Sequence, residues 1–338
     1  MIGGIAAKVI LFTAAAMVSA ILILLLRGFL RRHALSRPNA RSSHRKPTPQ
    51  GGGIAVIAAA LGTATAFLLL SDRAAAVNLW PVIAATTFLA CVGAWDDIRV
   101  IQVAPRLVLQ LAAIVVVIAS LPSDLRIVPS LPWDVERVLL VLGGLWFINL
   151  VNFMDGIDWM TVAEVVPVTI GLALLGMFGA LPEYGAVIAL ALGGAMIGFA
   201  PFNRPVAKLF LGDVGSLPLG LLLGWLLVLV AGSGHLTAAL LLPLYYLADA
   251  TITLLRRLLR GEALWKAHRC HFYQRAVDDG FTVGQVVARV FAVNVVLVAL
   301  ACATALMQSP AADIAALVLG AGMVSWLLIH FKRGNGRA

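Results

Sequence analysis

Asp96 and Asp97 follow Trp95 at the border of an apolar run, and two adjacent carboxylates there are costly unless water or a cation meets them. Mg²⁺ takes oxygen ligands, commonly one or two carboxylates with phosphate and water; a solvated acidic turn is the plainer reading. Asn149, Asn152 and Asp155 recur every third residue, so a continuous helix would align them on one face. Gly156 then permits a turn before Asp158. An ordinary helix end needs one capping side chain, so four oxygen-bearing side chains among apolar neighbours favour coordination or hydrogen bonding to a ligand. Asp213 is flanked by Gly212 and Gly215 just ahead of another apolar run. It suits a helix N-cap, although Asn203 and Lys208 in the same loop argue for more.

Two further stretches are basic. His44, Arg45 and Lys46 precede Pro47, Pro49 and the run Gly51–Gly53. The prolines keep the chain extended and the glycines let a backbone approach something closely. Cations beside free N–H donors suit a diphosphate; an anchor of positive charge ahead of a helix would look the same. His268, Arg269, Cys270, His271, Tyr273 and Arg275 form the last cluster. Zinc would need further soft ligands that are not evident, so anion binding fits better, with a basic segment lying on anionic lipid as the alternative. Cys91, Cys270 and Cys302 are scattered, which predicts neither disulfides nor a structural zinc site.

The elements that must carry these residues are set by composition. The 338 residues are 61% hydrophobic and only 12% charged, against about 25% charged in a soluble domain. Eleven segments approach the roughly 20 apolar residues needed to cross a bilayer: 5–29, 51–70, 79–95, 104–121, 137–152, 162–180, 185–200, 216–232, 236–255, 283–307 and 311–331. The third, fifth and seventh are short. Their unbroken apolar character predicts helices rather than alternating barrel strands. The fold expected is all-α, a single polytopic domain over 1–338. The first run is too long for a cleavable signal and its positive cluster follows it, so it is expected to stay as a span.

The net charge of +9 need not imply nucleic acid. Lys and Arg collect on the cytoplasmic side of bacterial membrane proteins. With the amino terminus periplasmic and the carboxyl terminus cytoplasmic, 20 of the 25 basic residues fall on the inside. The motif loops 30–50, 96–103, 149–161, 201–216 and 256–282 fall there as well. Acids for a cation, bases for phosphates and Asn for a heterocycle or sugar then share one face of the inner membrane. That pattern points to a metal-dependent reaction on a phosphorylated substrate. A transporter or flippase of a phosphorylated lipid is the competing class. It would place functional polar residues near the bilayer midplane, commonly between internal repeats, and no repeat is evident.

The strings PTPQGGG (47–53), DD (96–97), NLVNFMDGID (149–158), FNRPVAKLFLGDVGS (202–216) and HRCHFYQR (268–275), in that order, resemble the polyprenyl-phosphate N-acetylhexosamine-1-phosphate transferases, of the glycosyltransferase family 4 type. The resemblance covers about residues 40 to 280. It implies transfer of an N-acetylated sugar 1-phosphate from a UDP-sugar to undecaprenyl phosphate, with release of UMP, Mg²⁺ (or Mn²⁺) as cofactor and room for a homodimer. Carried over by motif, Asp96 and Asp97 become the acidic pair for metal and lipid phosphate, with Asp96 a metal and positioning residue or else a base. Asp213 becomes a metal ligand. Asn152, Asp155 and Asp158 line the nucleotide site, Asp158 toward the uracil, and Asn203 adjoins them. His268 and His271 meet the diphosphate or sugar, with Arg269 between them, and Lys46 with His44 and Arg45 forms the basic first loop. Relatives often carry three histidines where this chain has Cys270 followed by FYQR. That departure resembles the branch that primes O-antigen and other cell-envelope glycans rather than the phospho-N-acetylmuramoyl-pentapeptide branch.

Overall fold

The computed structural model describes residues 2–36, 47–263 and 268–334; His44, Arg45 and Lys46 lie outside the described residues. The chain is an all-α polytopic membrane protein. In order it forms α1 (Ile2–His33), a two-residue pair β1 (Leu35–Ser36) and β2 (Thr48–Pro49), α2 (Gly52–Ser71), α3 (Arg73–Asn78), α4 (Trp80–Ile98), α5 (Val103–Ala119), α6 (Trp133–Met154), α7 (Met160–Met177) and α8 (Glu183–Phe199). There follow α9 (Asp213–Gly232), α10 (Leu236–Leu241), α11 (Leu244–Leu259), α12 (Phe272–Asp278), α13 (Val283–Met307) and α14 (Pro310–Arg333). Among the described residues eight helices (α1, α2, α4, α6, α7, α9, α13 and α14) are long and apolar enough to cross a membrane. Helices α5 and α8, at 17 residues each, reach only about 25 Å.

Ten of the eleven apolar segments therefore become single helices. The remaining one, 236–255, does not. The chain breaks at Leu242 and Pro243, where a proline N–H is missing from the helical ladder. Beyond the break α11 buries Tyr245, Tyr246, Asp249, Thr253 and Arg257 on one side and exposes Leu255, Leu258 and Leu259 on the other. Hydropathy averages over such a break, because both halves are apolar enough.

Helix α9 is the most enclosed of the eight, and its amino-terminal end is gripped from two sides by glycine. A Cβ on Gly93 of α4 would fall 2.2 Å from the carbonyl oxygen of Asp213, and one on Gly53 of α2 would fall 2.2 Å from the Cα of Gly215. Neighbouring backbone hydrogen bonds lock the same junction: Phe210 N to Pro49 O at 2.8 Å, Gly52 N to Phe210 O at 2.9 Å and Gly53 N to Leu211 O at 2.9 Å. What the glycine run approaches is thus the segment entering α9.

Candidate active site

The last turn of α4, the first turns of α5 and α9 and the last turn of α6 meet at one end of the bundle. Asp96 and Asp97 are both helical, not in a loop after a span. Successive helical side chains diverge, and the two carboxylates face different partners. Asp97 turns to α9, where Oδ1 accepts from Asp213 N at 2.9 Å and Oδ2 from Val214 N at 3.1 Å. A carboxylate from another helix therefore caps α9, satisfying amides a helix start leaves open and meeting its positive dipole end. Gly212, not Asp213, occupies the N-cap position, which leaves the Asp213 side chain free for other partners.

Asp96 turns the other way, accepting from Ile101 N at 2.6 Å and from Arg106 Nη1 at 2.8 Å. The same Nη1 donates to Asp213 Oδ2 at 3.1 Å, and Arg106 Nη2 donates to Asn152 Oδ1 at 3.0 Å. Asn152 closes the ring, its Nδ2 donating to Asp213 Oδ1 and to Ser216 Oγ, each at 2.8 Å. Four helices thus contribute to one knot of two carboxylates, an amide and a guanidinium, and Asp97 holds its backbone from behind. Among the described residues no three His, Cys, Asp or Glu side chains form a ready-made metal cage.

The knot lines a cleft of about 790 Å³ whose lining is mixed. That lining includes Asp96, Asn152, Asp155 and Asp213 and also the apolar Leu107, Leu142, Leu145, Trp146 and Leu254, and Leu142 is exposed on the outside of the bundle. Asp155, just past α6, accepts from the Thr161 hydroxyl. Burial pushes its carboxyl up to about 7 against that opposing hydrogen bond, with Asp213 and Asp158 adding nearby negative charge. Asp158 and Asn203 also line the cleft while joining their two loops. Asp158 Oδ2 accepts from Ala207 N at 2.9 Å; Asn203 Oδ1 accepts from Trp159 N at 2.7 Å and its Nδ2 donates to Leu209 O at 3.0 Å.

The histidines also line the cleft, near Phe153 at the end of α6. His268 and His271 bring their Nε2 atoms to 3.2 Å. Arg269 pairs with Asp278 at 2.9 Å. Behind them the fully buried Asp249 accepts from Tyr245 Oη at 3.0 Å, Phe272 N at 3.0 Å and Tyr273 N at 3.1 Å, and stands 3.4 Å from His271 Nδ1. The Tyr273 hydroxyl crosses to Phe153 O at 2.9 Å, tying α12 to the end of α6.

Three contributors are absent from the sequence-derived site. Arg106 enters the charge count only as an inside cation, yet an arginine within an apolar segment is itself a functional signal. Asp249 carries the same signal. Ser216 sits inside its motif without marking itself.

The family model described as glycosyl transferase family 4 matches residues 79–231, the stretch holding the acidic pair, Arg106, Asn152 and Asp213. The chain is similar to decaprenyl-phosphate N-acetylglucosaminephosphotransferase of Mycolicibacterium smegmatis, 26% identical over 89% of this chain and 82% of that protein. It is also similar to a Bacillus subtilis protein named "probable undecaprenyl-phosphate N-acetylglucosaminyl 1-phosphate transferase", 25% identical over 81% of this chain and 80% of that one. Phospho-N-acetylmuramoyl-pentapeptide-transferase of Gluconacetobacter diazotrophicus is 30% identical over 57% of this chain and 62% of its own length.

Proposed function

We propose that the chain is a member of glycosyl transferase family 4, whose model matches residues 79–231, and that it transfers an N-acetylhexosamine 1-phosphate from a UDP-sugar to a polyprenyl phosphate such as undecaprenyl phosphate. The observation that carries this reading is the mixed lining of the cleft, where the charged knot and apolar side chains share one cavity and one of the latter, Leu142, is also exposed on the outside of the bundle. A phosphate on a lipid tail and a soluble nucleotide sugar need such a mixture. An oxygen of the lipid phosphate attacks the sugar-bearing phosphorus of the donor. The bridging P–O bond breaks and UMP leaves with those electrons. A phosphate monoester has a second pKa of about 6, so the nucleophile is already anionic near neutrality and Asp96 is better suited to positioning than to proton removal.

The donor set fits one hard divalent cation, for Asp213, Asp96 and the Asn152 carbonyl oxygen adjoin one another, and Mg²⁺ commonly keeps phosphate and water as its remaining ligands. Bound there, Mg²⁺ or Mn²⁺ would neutralise phosphate charge and polarise phosphorus. Asp97 commits both oxygens to α9 and supports Asp213 instead. Asn152 fixes the Asp213 carboxylate, Asp155 borders the nucleotide, and His268 with His271 meets the diphosphate or sugar. This is a transfer achieved by positioning and charge, with no Ser or Cys nucleophile required.

The Lys and Arg distribution supports an orientation with the amino terminus periplasmic, the carboxyl terminus cytoplasmic and the cleft facing the cytosol across a bacterial inner membrane, α10 and α11 together making one passage. The names of the relatives favour N-acetylglucosamine as the sugar. Cys270 in place of a histidine favours a priming step for O-antigen or another envelope glycan. The test is UMP release by purified protein given UDP-N-acetylglucosamine, undecaprenyl phosphate and Mg²⁺. Release that requires both lipid and metal is expected; its absence across a broad UDP-sugar panel would leave lipid transport as the better account.

A further inference from the structure

Arg106 engages the very oxygens that a metal ion would use. Its Nη1 touches Asp96 Oδ2 at 2.8 Å and Asp213 Oδ2 at 3.1 Å, and its Nη2 touches Asn152 Oδ1 at 3.0 Å. The remaining carboxylate oxygens of the knot are committed too. Asp96 Oδ1 accepts from Ile101 N, Asp213 Oδ1 from Asn152 Nδ2, and both oxygens of Asp97 from the first amides of α9. Each of these oxygens keeps a second lone pair, so the neutral donors to Asp96 and Asp213, Ile101 N and Asn152 Nδ2, need not leave when a divalent cation arrives. The charged donor, Arg106, is the one that stands in its way. The Arg106 side chain, on the first turn of α5 and one-fifth exposed, can swing by rotamer change alone. Like charge forces the same outcome, since a guanidinium and a divalent ion cannot share two carboxylate oxygens.

We infer that Arg106 is the resident counter-cation of the metal-free site, and that a divalent cation binds by displacing it from Asp96 and Asp213. The exchange keeps the carboxylates balanced in both states, since two adjacent, partly buried acids without either cation would be unfavourable. It also makes metal affinity a difference between two cations competing for one set of oxygens. Displacement leaves the guanidinium beside the cleft, as a counter-charge for an anionic ligand arriving with the metal. The inference rests on the proposed metal dependence and deepens it.

The test is Mn²⁺ titration of the purified full-length protein, followed by the electron paramagnetic resonance signal of free Mn²⁺, without nucleotide or lipid. Arg106→Gln removes the competing charge and should bind Mn²⁺ about tenfold more tightly than wild type, a difference equivalent to about 1.4 kcal/mol. Arg106→Lys keeps the charge but not the two-nitrogen fork, and should fall between them; it decides the matter if the Gln variant does not fold. In the absence of metal Arg106→Gln should melt at a lower temperature than wild type, and saturating Mn²⁺ should close that gap. Equal or weaker Mn²⁺ binding in both variants overturns the displacement. No Mn²⁺ binding by any of the three proteins, with UMP release by wild type intact, overturns it as well. Loss of UMP release from wild type while the variants still bind Mn²⁺ more tightly would sink the transferase reading and leave the exchange standing.

Discussion

Gly93 of α4 lies so close to Asp213 of α9 that a methyl group on it would stand 2.2 Å from the Asp213 carbonyl oxygen and 2.5 Å from the Val214 nitrogen. The obstacle is backbone, so no side-chain rotation relieves it. Gly93→Ala should push α4 from α9, costing about 1–3 kcal/mol through overpacking and lowering UMP release more than tenfold. Gly62→Ala on α2, where a Cβ meets nothing within 4 Å, serves as the control and should be neutral or slightly stabilising. Equal behaviour of the two variants in thermal unfolding and in turnover would contradict the role given to this contact.

Asp97 holds the amides of Asp213 and Val214, so its replacement acts on structure and chemistry together. Asp97→Ala should insert into membranes yet lose about 1–2 kcal/mol, the usual cost of losing a helix cap, along with nearly all turnover. Asp213→Ala should abolish turnover with a smaller change in melting temperature, because its side chain caps nothing. If Asp97→Ala melts like wild type, the capping role is wrong.

Asp155 offers a pH signature. Burial raises its carboxyl to about 7 from an ordinary value of 3.8, so the folded protein retains a proton between those values that the unfolded chain has released. Stability from this group is therefore full below pH 4 and declines as pH rises toward 7, after which it is level. The swing is on the order of a few kcal/mol. In metal-free protein Asp155→Asn should flatten the fall in melting temperature between pH 5 and pH 8. A variant with the wild-type slope would place the titration elsewhere.

Asp249 underlies the histidine pair without touching the cleft. Asp249→Ala would leave the Phe272 and Tyr273 amides buried and unpaired, at about 1–3 kcal/mol each, and should weaken binding of the donor sugar through misplaced His271. Asp249→Asn keeps an acceptor and should recover part of the stability. A rise in donor KM larger than any fall in kcat is the result that separates positioning from general destabilisation.

Much of this was legible beforehand because bilayer crossing demands long apolar runs, and ten of the eleven such runs are single helices. Four motif loops meet in one cleft, as their common side suggested; of the first loop, residues 47–50 pack against the entry to α9 and His44, Arg45 and Lys46 fall outside the described residues. What stayed hidden was direction. Adjacent aspartates look equivalent as letters, but on a helix Asp96 faces α5 and Asp97 faces α9. Arg106 is invisible for a related reason, since a basic residue near a span end satisfies the orientation rule whether or not it does anything else. The glycine run 51–53 signals close approach without saying to what. The break at Pro243 falls inside a run, 236–255, that still reads as apolar when averaged across it.

The mixed lining of the cleft has a kinetic consequence. With Asp96, Asp155 and Asp213 and the apolar Leu107, Leu142 and Trp146 lining one cavity, each proposed substrate would reach the site from the phase in which it already resides. The nucleotide sugar arrives by diffusion in three dimensions, its supply measured per litre. The lipid arrives by diffusion in two, its supply set by its mole fraction in the surrounding micelle or bilayer. Diluting the acceptor with inert detergent at fixed bulk concentration should therefore slow turnover as though substrate had been withdrawn, whereas the same detergent should leave saturation by the nucleotide sugar unchanged.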